Sequence, residues 1–183
     1  MDIKVDHVSK AYGEQQILRD LCCVFPEGKT TCIRGRSGCG KTTLIRLLLG
    51  LDIPDKGKIE GISDRKISAV FQEDRLCENL SAASNIRLVC AKTISDRELE
   101  EAYKAVALTE VWQKPVRELS GGMRRRVSIL RALLADSDCV IMDEPLRGLD
   151  EKTRIKTIDY ILKKTEGKTL IFVTHEEQEA VWL

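Results

Sequence analysis

Residues 35–42 have the pattern G-x-x-x-x-G-K-T, in which the glycines, the lysine and the threonine have the spacing of a phosphate-binding loop. Glycines let successive backbone N–H groups converge on phosphate oxygens, and a helix that follows adds about half a positive charge at its N-terminus. Lys41 is then expected to contact the β- and γ-phosphates of a triphosphate, and the Thr42 hydroxyl to ligate Mg²⁺. The residues assigned to nucleotide binding here are Gly35, Arg36, Ser37, Gly38, Cys39, Gly40, Lys41, Thr42 and Thr43.

The segments on either side of this loop have the composition of a strand and a helix. Residues 29–33 predict a short buried strand, and residues 43–49 predict a helix that ends at Gly50. Strand, glycine loop and helix is the order that a triphosphate site requires. The competing interpretation is a glycine-rich turn that only begins a helix, and the flanking elements argue against it.

A phosphate loop also needs a group that holds the metal ion and a group that activates water, and an acidic pair can supply both. Four apolar residues, 139–142, precede Asp143 and Glu144 and predict a buried strand that delivers them to its carboxyl end. Ligands bind at that end of open α/β sheets, so Asp143 is expected to hold Mg²⁺, directly or through water. Glu144 is expected to face the γ-phosphate and to accept a proton from the attacking water. A surface acidic pair at the end of a strand is the alternative.

A third motif, Leu119-Ser120-Gly121-Gly122-Met123, opens a predicted helix with a hydroxyl and two glycines. A helix start of this kind offers N–H groups to an anion. Together with the two motifs above, the motif resembles the signature L-S-G-G-Q of the nucleotide-binding domain of ATP-binding-cassette (ABC) proteins. The resemblance implies that Ser120, Gly121 and Gly122 serve the γ-phosphate bound by the opposite subunit, so that each ATP lies between two chains. Met123 replaces the usual glutamine, and we expect altered contacts rather than loss of activity.

Other positions match the family residue by residue. Tyr12 matches the aromatic side chain that stacks on adenine, and Gln72 matches the glutamine that contacts Mg²⁺ and the lytic water. Asp150 matches the acidic member of the loop that communicates between subunits, and it is also placed to cap the next helix. His175 matches the histidine that senses the γ-phosphate. The resemblance thus implies ATP and Mg²⁺ as cofactors, with catalytic residues Glu144, His175, Gln72 and Lys41 and metal ligands Thr42, Gln72 and Asp143.

The order of predicted elements indicates an α/β fold. Strands are predicted at residues 2–8, 16–25, 58–62, 67–71, 138–142 and 169–173, and helices at 82–91, 96–108, about 122–135 and 151–164. This order and the resemblance imply a P-loop NTPase (RecA-like) core with an N-terminal antiparallel β edge and an inserted α-helical subdomain. We expect a single ABC ATPase domain over residues 1–183, with a core at 1–72 and 137–183 and the helical subdomain at about 73–136.

Composition limits the partners. The chain has 183 residues and a net charge of +1, which gives no general attraction to nucleic acid, and no nucleic-acid partner is expected. The arginines 124–126 are therefore interpreted as solvated or paired rather than as a nucleic-acid patch. The sequence has no apolar run of membrane-span length and begins without the features of a signal peptide, so we expect a cytoplasmic protein, peripheral on the inner face of the cell membrane.

The resemblance implies an ATP-hydrolysing subunit of a membrane transporter. ATP would close a dimer, expected to be a homodimer, and hydrolysis would reopen it, while the helical insertion passes the motion to transmembrane permease subunits. Residues 72–89 resemble the docking region of bacterial importer ATPases such as those for nitrate, sulfonate or taurine. Leu76, Leu80 and Ile86 are expected either at that interface or buried inside the insertion.

Two other functions compete with this one. A soluble ABC ATPase that acts on nucleic acid or ribosomes would carry long coiled coils or a second cassette, and this sequence has neither. A regulatory cassette that binds nucleotide without hydrolysing it would not need Gln72, Glu144 and His175, all of which are present.

Overall fold

The structure, a computed structural model, describes residues 1–109 and 111–183. The strands in these ranges are β1 (Ile3–Tyr12), β2 (Gln15–Phe25), β3 (Thr30–Arg34), β4 (Lys56–Glu60), β5 (Ile67–Val70), β6 (Cys139–Asp143) and β7 (Thr169–Thr174). The helices are α1 (Lys41–Leu48), α2 (Ala82–Arg87), α3 (Asp96–Ala105), α4 (Gly121–Leu134), α5 (Glu151–Lys164) and α6 (Glu177–Trp182), with a 3₁₀ turn at Val116–Glu118. The chain divides into two units, the first formed by residues 1–67, 138–143 and 167–183, the second by 68–137 and 144–166.

The first unit contains an antiparallel and a parallel sheet. The antiparallel sheet has the order β2-β1-β4. In the parallel sheet β7 lies between β3 and β6, with Ile141 of β6 opposite Ile171 of β7. Every residue of β6 and β7 is buried, as expected for parallel strands that are covered on both faces. The apolar face of α1, which includes Leu44 and Leu48, shares one core with these strands.

The second unit is mainly helical and has a core of its own. Its buried residues come from α2, α3, α4 and the segments between them: Ala82, Ala83, Ile86, Leu99, Ala102, Tyr103, Val106, Leu108, Val111, Val116, Leu119, Val127 and Leu130. The capping box at the start of α3 is formed, because the Ser95 side chain accepts from the Glu98 N–H and the Glu98 carboxylate accepts from the Ser95 N–H at 2.9 Å.

The ends of α2 and α3 differ from the prediction for identifiable reasons. The chain leaves α2 after Arg87 because the Val89 and Cys90 amides bond three residues back instead of four. Helix α3 ends at Ala105 because Ala107 adopts a left-handed conformation, with φ of 54°. The Leu108 N–H then bonds to the Tyr103 carbonyl at 2.8 Å, which closes a Schellman motif. Glycine usually occupies that position. Because this chain has alanine there, the sequence carries no signal that the helix ends.

Strand β1 extends past the predicted residues 2–8, as far as Tyr12. Its pairing with β2 also shifts register between Val8 and Lys10 and between Lys10 and Ala11, and these irregularities interrupt the alternation of apolar and polar residues on which the prediction relied. Across the described ranges, no helix combines the length and the apolar character that a membrane crossing needs.

Candidate active site

The phosphate loop, residues 35–40, joins β3 to α1 in the first unit. Gly40 has φ of 98°, a conformation that favours glycine, and a Cβ there would lie 2.7 Å from Leu18 Cδ2 and would displace that side chain. The Lys41 ammonium donates to the carbonyl oxygens of Gly35 at 2.8 Å and Arg36 at 3.0 Å. The loop therefore carries a fixed cation next to the N-terminus of α1.

Two oxygen groups meet beside this loop. The Thr42 hydroxyl donates to Asp143 Oδ2 at 3.0 Å, although the two residues are 101 positions apart. Thr42 lies in the first turn of α1 and Asp143 is the last residue of β6, where it is only 3% exposed. A hydroxyl and a carboxylate are hard oxygen ligands of the kind that Mg²⁺ prefers. This convergence makes Thr42 and Asp143 suitable for a magnesium ion.

Tyr12, the residue predicted to stack on adenine, ends β1 and is 45% exposed. Its hydroxyl donates to Asp52 Oδ2 at 2.6 Å. Asp52 is also 3.0 Å from the Lys10 ammonium, which in turn donates to the Ile53 carbonyl at 2.7 Å. The segment that follows α1 therefore fixes the Tyr12 ring. Hydrogen bonds from Tyr12, then from Lys10 and the Ile53 amide, lower the pKa of Asp52 to about 2.

Asp52 was not identified from the sequence. The available signal is the run Asp52-Ile53-Pro54-Asp55, which places carboxylates on both sides of a proline shortly after a predicted helix. Asp55 also bonds outside this turn, since its carboxylate accepts from the Ala11 N–H at 2.7 Å. Carboxylates on both sides of a proline turn are thus a pattern that can tie the turn to a neighbouring strand.

Gln72 and Glu144 both lie in the second unit. Gln72 follows β5 and is exposed. Glu144 directly follows β6 and has φ of 47°, which is unfavourable for a residue with a Cβ. Its carboxylate lies 3.8 Å from Arg147 Nη1.

Ser120 and Asp150 cap helices of the second unit. The Ser120 hydroxyl accepts from the Met123 N–H at 3.3 Å at the start of α4, and Gly121 and Gly122 form the first turn. Asp150 Oδ1 accepts from the Thr153 N–H at 3.0 Å at the start of α5, so the predicted cap is confirmed. Hydrogen bonds from Thr153 also lower the pKa of Asp150. His175 lies in the first unit, where it follows β7 with its Nε2 3.4 Å from Glu176 Oε1.

The arginines at the start of α4 are hydrogen-bonded within the second unit, as predicted. Arg124 donates to the carbonyls of Arg117 and Leu119, and Arg126 donates to that of Ala107 at 2.7 Å. Arg125 is buried, at 4% exposure. These contacts weigh against a nucleic-acid patch at this helix.

Of the three apolar residues expected either at a docking interface or inside the helical insertion, one is buried and two are at least partly accessible. Ile86 is fully buried in the core of the second unit, whereas Leu80 is exposed and Leu76 is half-buried against that core. Ile86 therefore belongs to the interior of the helical region, which was the second of the two expectations for it.

Comparison with known proteins identifies the family. The profile described as ABC transporter matches residues 18–147. The chain belongs to this family. It is 37% identical over 198 residues to the spermidine/putrescine import ATP-binding protein PotA of Fusobacterium nucleatum, and 35% identical over 196 residues to the sulfate/thiosulfate import ATP-binding protein CysA of Synechococcus elongatus. These matches cover 98% of this chain but 52% and 57% of the relatives, so the chain spans about half of their length.

Solved structures give the same fold. The ATP-binding cassette MJ0796, in a dimeric post-hydrolysis state bound to ADP and Pi, aligns with a TM-score of 0.86 and 30% identity, over 98% of this chain and 90% of that one. An ATP-binding protein of Pyrococcus furiosus, described as a putative ABC transporter, aligns with a TM-score of 0.83 at 24% identity, over 97% and 92% of the two chains, and supports the fold alone. The predicted ABC family and the P-loop α/β fold with an antiparallel sheet are confirmed. The roles of individual residues stay predictions.

We expect Lys41→Ala to abolish ATP binding, because the phosphate tail would lose the cation that the loop holds in place. An ion pair at 4 Å contributes about 4 kcal/mol at an effective dielectric constant of 20. Equilibrium titration with a fluorescent ATP analogue measures the affinity. Lys29→Ala, which removes an exposed lysine of the same unit, is the control and should bind as wild type. Equal affinity in the two variants would contradict the assignment.

The low pKa of Asp52 predicts a pH-dependent contribution to folding stability. Because this pKa is lower in the folded chain than in the unfolded chain, the contribution is complete above about pH 4 and is lost as the pH falls toward about 2. The difference in urea midpoint between wild type and Asp52→Asn should therefore be full at about pH 7 and should shrink steadily as the pH falls from about 4 toward about 2.

The control for this experiment is Asp64→Asn, which changes an exposed carboxylate of another turn in the same unit. We expect a small difference in urea midpoint for that variant at about pH 7. A difference for Asp52→Asn that stays constant across the same pH range would show that its hydrogen bonds do not favour the ionised form.

Proposed function

We propose that the chain is the ATP-hydrolysing subunit of a membrane importer. Two copies would bind ATP between them, close, hydrolyse it and reopen, and transmembrane permease subunits would follow that motion. The observation that carries the proposal is the convergence of Lys41, Thr42 and Asp143 at one end of the first unit. The similarity to import ATP-binding proteins supports the transport role and a location on the inner face of the cell membrane.

The phosphates would be bound by the first unit. Lys41 and the N-terminus of α1 would neutralise the β- and γ-phosphates, and the loop amides would donate to their oxygens. Thr42 and Asp143 would hold Mg²⁺, together with Gln72, and the ion when bound would neutralise charge on the phosphate oxygens. Tyr12 would stack on the adenine, with its ring fixed by Asp52.

Hydrolysis would use Glu144, Gln72 and His175. The water oxygen forms a bond to the γ-phosphorus while the bond from that phosphorus to the bridging oxygen of ADP breaks. Glu144 accepts the proton of the water, Gln72 orients the water, and His175 contacts the γ-phosphate. The products are ADP and inorganic phosphate.

The N-terminus of α4 would contact the nucleotide of the other copy. Ser120 already caps this helix, and Gly121 and Gly122 give an anion close access to its first N–H groups. Asp150 would lie in the loop that passes information between the copies. The dimeric state of the MJ0796 cassette supports a dimer, and we propose a homodimer. We further propose one ABC ATPase domain over residues 1–183, with a core at 1–72 and 137–183 and a helical subdomain at about 73–136.

The experiment that tests this function is Glu144→Gln. The amide keeps the size of the side chain but cannot accept the proton of the water, so we expect ATP binding to persist while multi-turnover phosphate release falls by about a hundredfold or more. ATP-bound dimer should then accumulate in sedimentation runs. Glu166→Gln, an exposed change in the same unit, is the control. Phosphate release by Glu144→Gln at the control rate would rule out this role for Glu144.

The dimer is tested separately with Ser120→Arg. A long cation at the start of α4 should block closure of two copies while each copy still binds ATP. Sedimentation of the Glu144→Gln variant with ATP and Mg²⁺, with and without Ser120→Arg, measures this. Ser63→Arg adds the same charge at an exposed turn of the first unit and should leave the dimer intact. An undiminished dimer in Ser120→Arg would exclude the α4 contact.

A further inference from the structure

One buried arginine connects the two segments that carry Gln72 and Glu144. Arg125 lies in the second turn of α4, and its guanidinium donates to the Glu144 carbonyl at 2.6 Å and to the Pro145 carbonyl at 3.1 Å. On the other side it donates to the Phe71 carbonyl and, at 3.3 Å, to the Gln72 carbonyl. All of these residues belong to the second unit.

The chemistry of the side chain makes this connection specific. A guanidinium presents its N–H donors in a rigid planar fork, so bonds to both segments fix the distance and the angle between them. A buried cation is costly unless it is paired, and Asp74, whose carboxylate lies 3.3 Å from Arg125 Nη1, supplies the negative charge. Lysine has one point of donation and cannot reproduce this arrangement.

The backbone of Glu144 needs such support. Its left-handed conformation, with φ of 47°, is unfavourable for a side chain that has a Cβ and persists only when the surroundings hold it. The peptide that follows is held by the hydrogen bond from Arg125 to the Glu144 carbonyl. This bond fixes the direction in which the Glu144 side chain leaves the backbone.

We propose that Arg125 is a positioning residue for ATP hydrolysis. It holds the Gln72 and Glu144 segments at the spacing that lets one orient the water while the other accepts its proton. The inference rests on the proposed roles of Gln72 and Glu144. Arg125 also lies five positions after Ser120 in one continuous helix, so a shift of the α4 N-terminus against the partner's nucleotide would move both segments together.

The test is Arg125→Lys, assayed for ATP affinity and for steady-state hydrolysis. We expect kcat to fall by about ten- to a hundredfold through misplacement of the two segments, with KM and the dissociation constant for ATP within about twofold of wild type. Arg131→Lys is the matched control, because Arg131 lies in the same helix and donates to the carbonyls of Asp74 and Arg75 rather than to those of Gln72 and Glu144. We expect this control to retain its rate.

A second measurement separates positioning from a general structural role. In the Glu144→Gln background, Arg125→Lys should lower the residual rate no further, since the group that it positions is already disabled. Arg125→Gln, with the same expected results, serves as the second variant if Arg125→Lys does not fold. Wild-type kcat in a folded variant, equal losses in Arg131→Lys, or a parallel loss of ATP affinity would overturn the inference. Failure of the proposed function itself would differ, since wild type would then not hydrolyse ATP.

Discussion

The hydrogen bond between Thr42 and Asp143 is the contact on which the proposed nucleotide site of the first unit depends. It joins the first turn of α1 to the last residue of β6 across 101 positions of sequence. The two groups meet because a single apolar core contains one face of α1 and the buried run of β6 and β7. A strand buried on both faces can end in a carboxylate that is 3% exposed only if that carboxylate has polar partners at the strand end. The core of the first unit thus fixes both a cation and hard oxygen ligands in one small region.

The second unit holds its predicted catalytic residues in a different way. Its predicted catalytic residues lie on irregular segments, the stretch after β5 and the turn after β6, where the regular ladders of a sheet end. In these segments, hydrogen bonds from side chains hold the main chain in place, as strand pairing does within a sheet. The Arg125 guanidinium holds main-chain carbonyls, Asp150 caps α5, and Ser120 caps α4. A site built on loops requires such supports, because an unsupported loop does not hold a reacting group to within a fraction of an ångström.

The sequence predicted those features whose cause is local. The phosphate loop, the buried run of β6, the capping box at Ser95 and the cap at Asp150 are each determined by a few adjacent residues. The features that escaped prediction depend on distant partners or on an unusual residue. Ala107 ends α3 in a conformation that usually calls for glycine. Asp52 acquires its role only when β1 lies beside the segment that follows α1, and the acceptors of Arg125 come from two segments that are distant from it in sequence.

The central claim is that two copies of this chain share their nucleotides, each between the phosphate loop of one copy and the start of α4 in the other. A crystal structure of the Glu144→Gln variant with ATP and Mg²⁺ tests it most directly. We predict two chains, with the γ-phosphate in contact with Lys41 of one copy and with the α4 N-terminus of its partner. A structure with ATP at Lys41 and the partner's α4 remote from it, or with ATP bound elsewhere, would contradict the account.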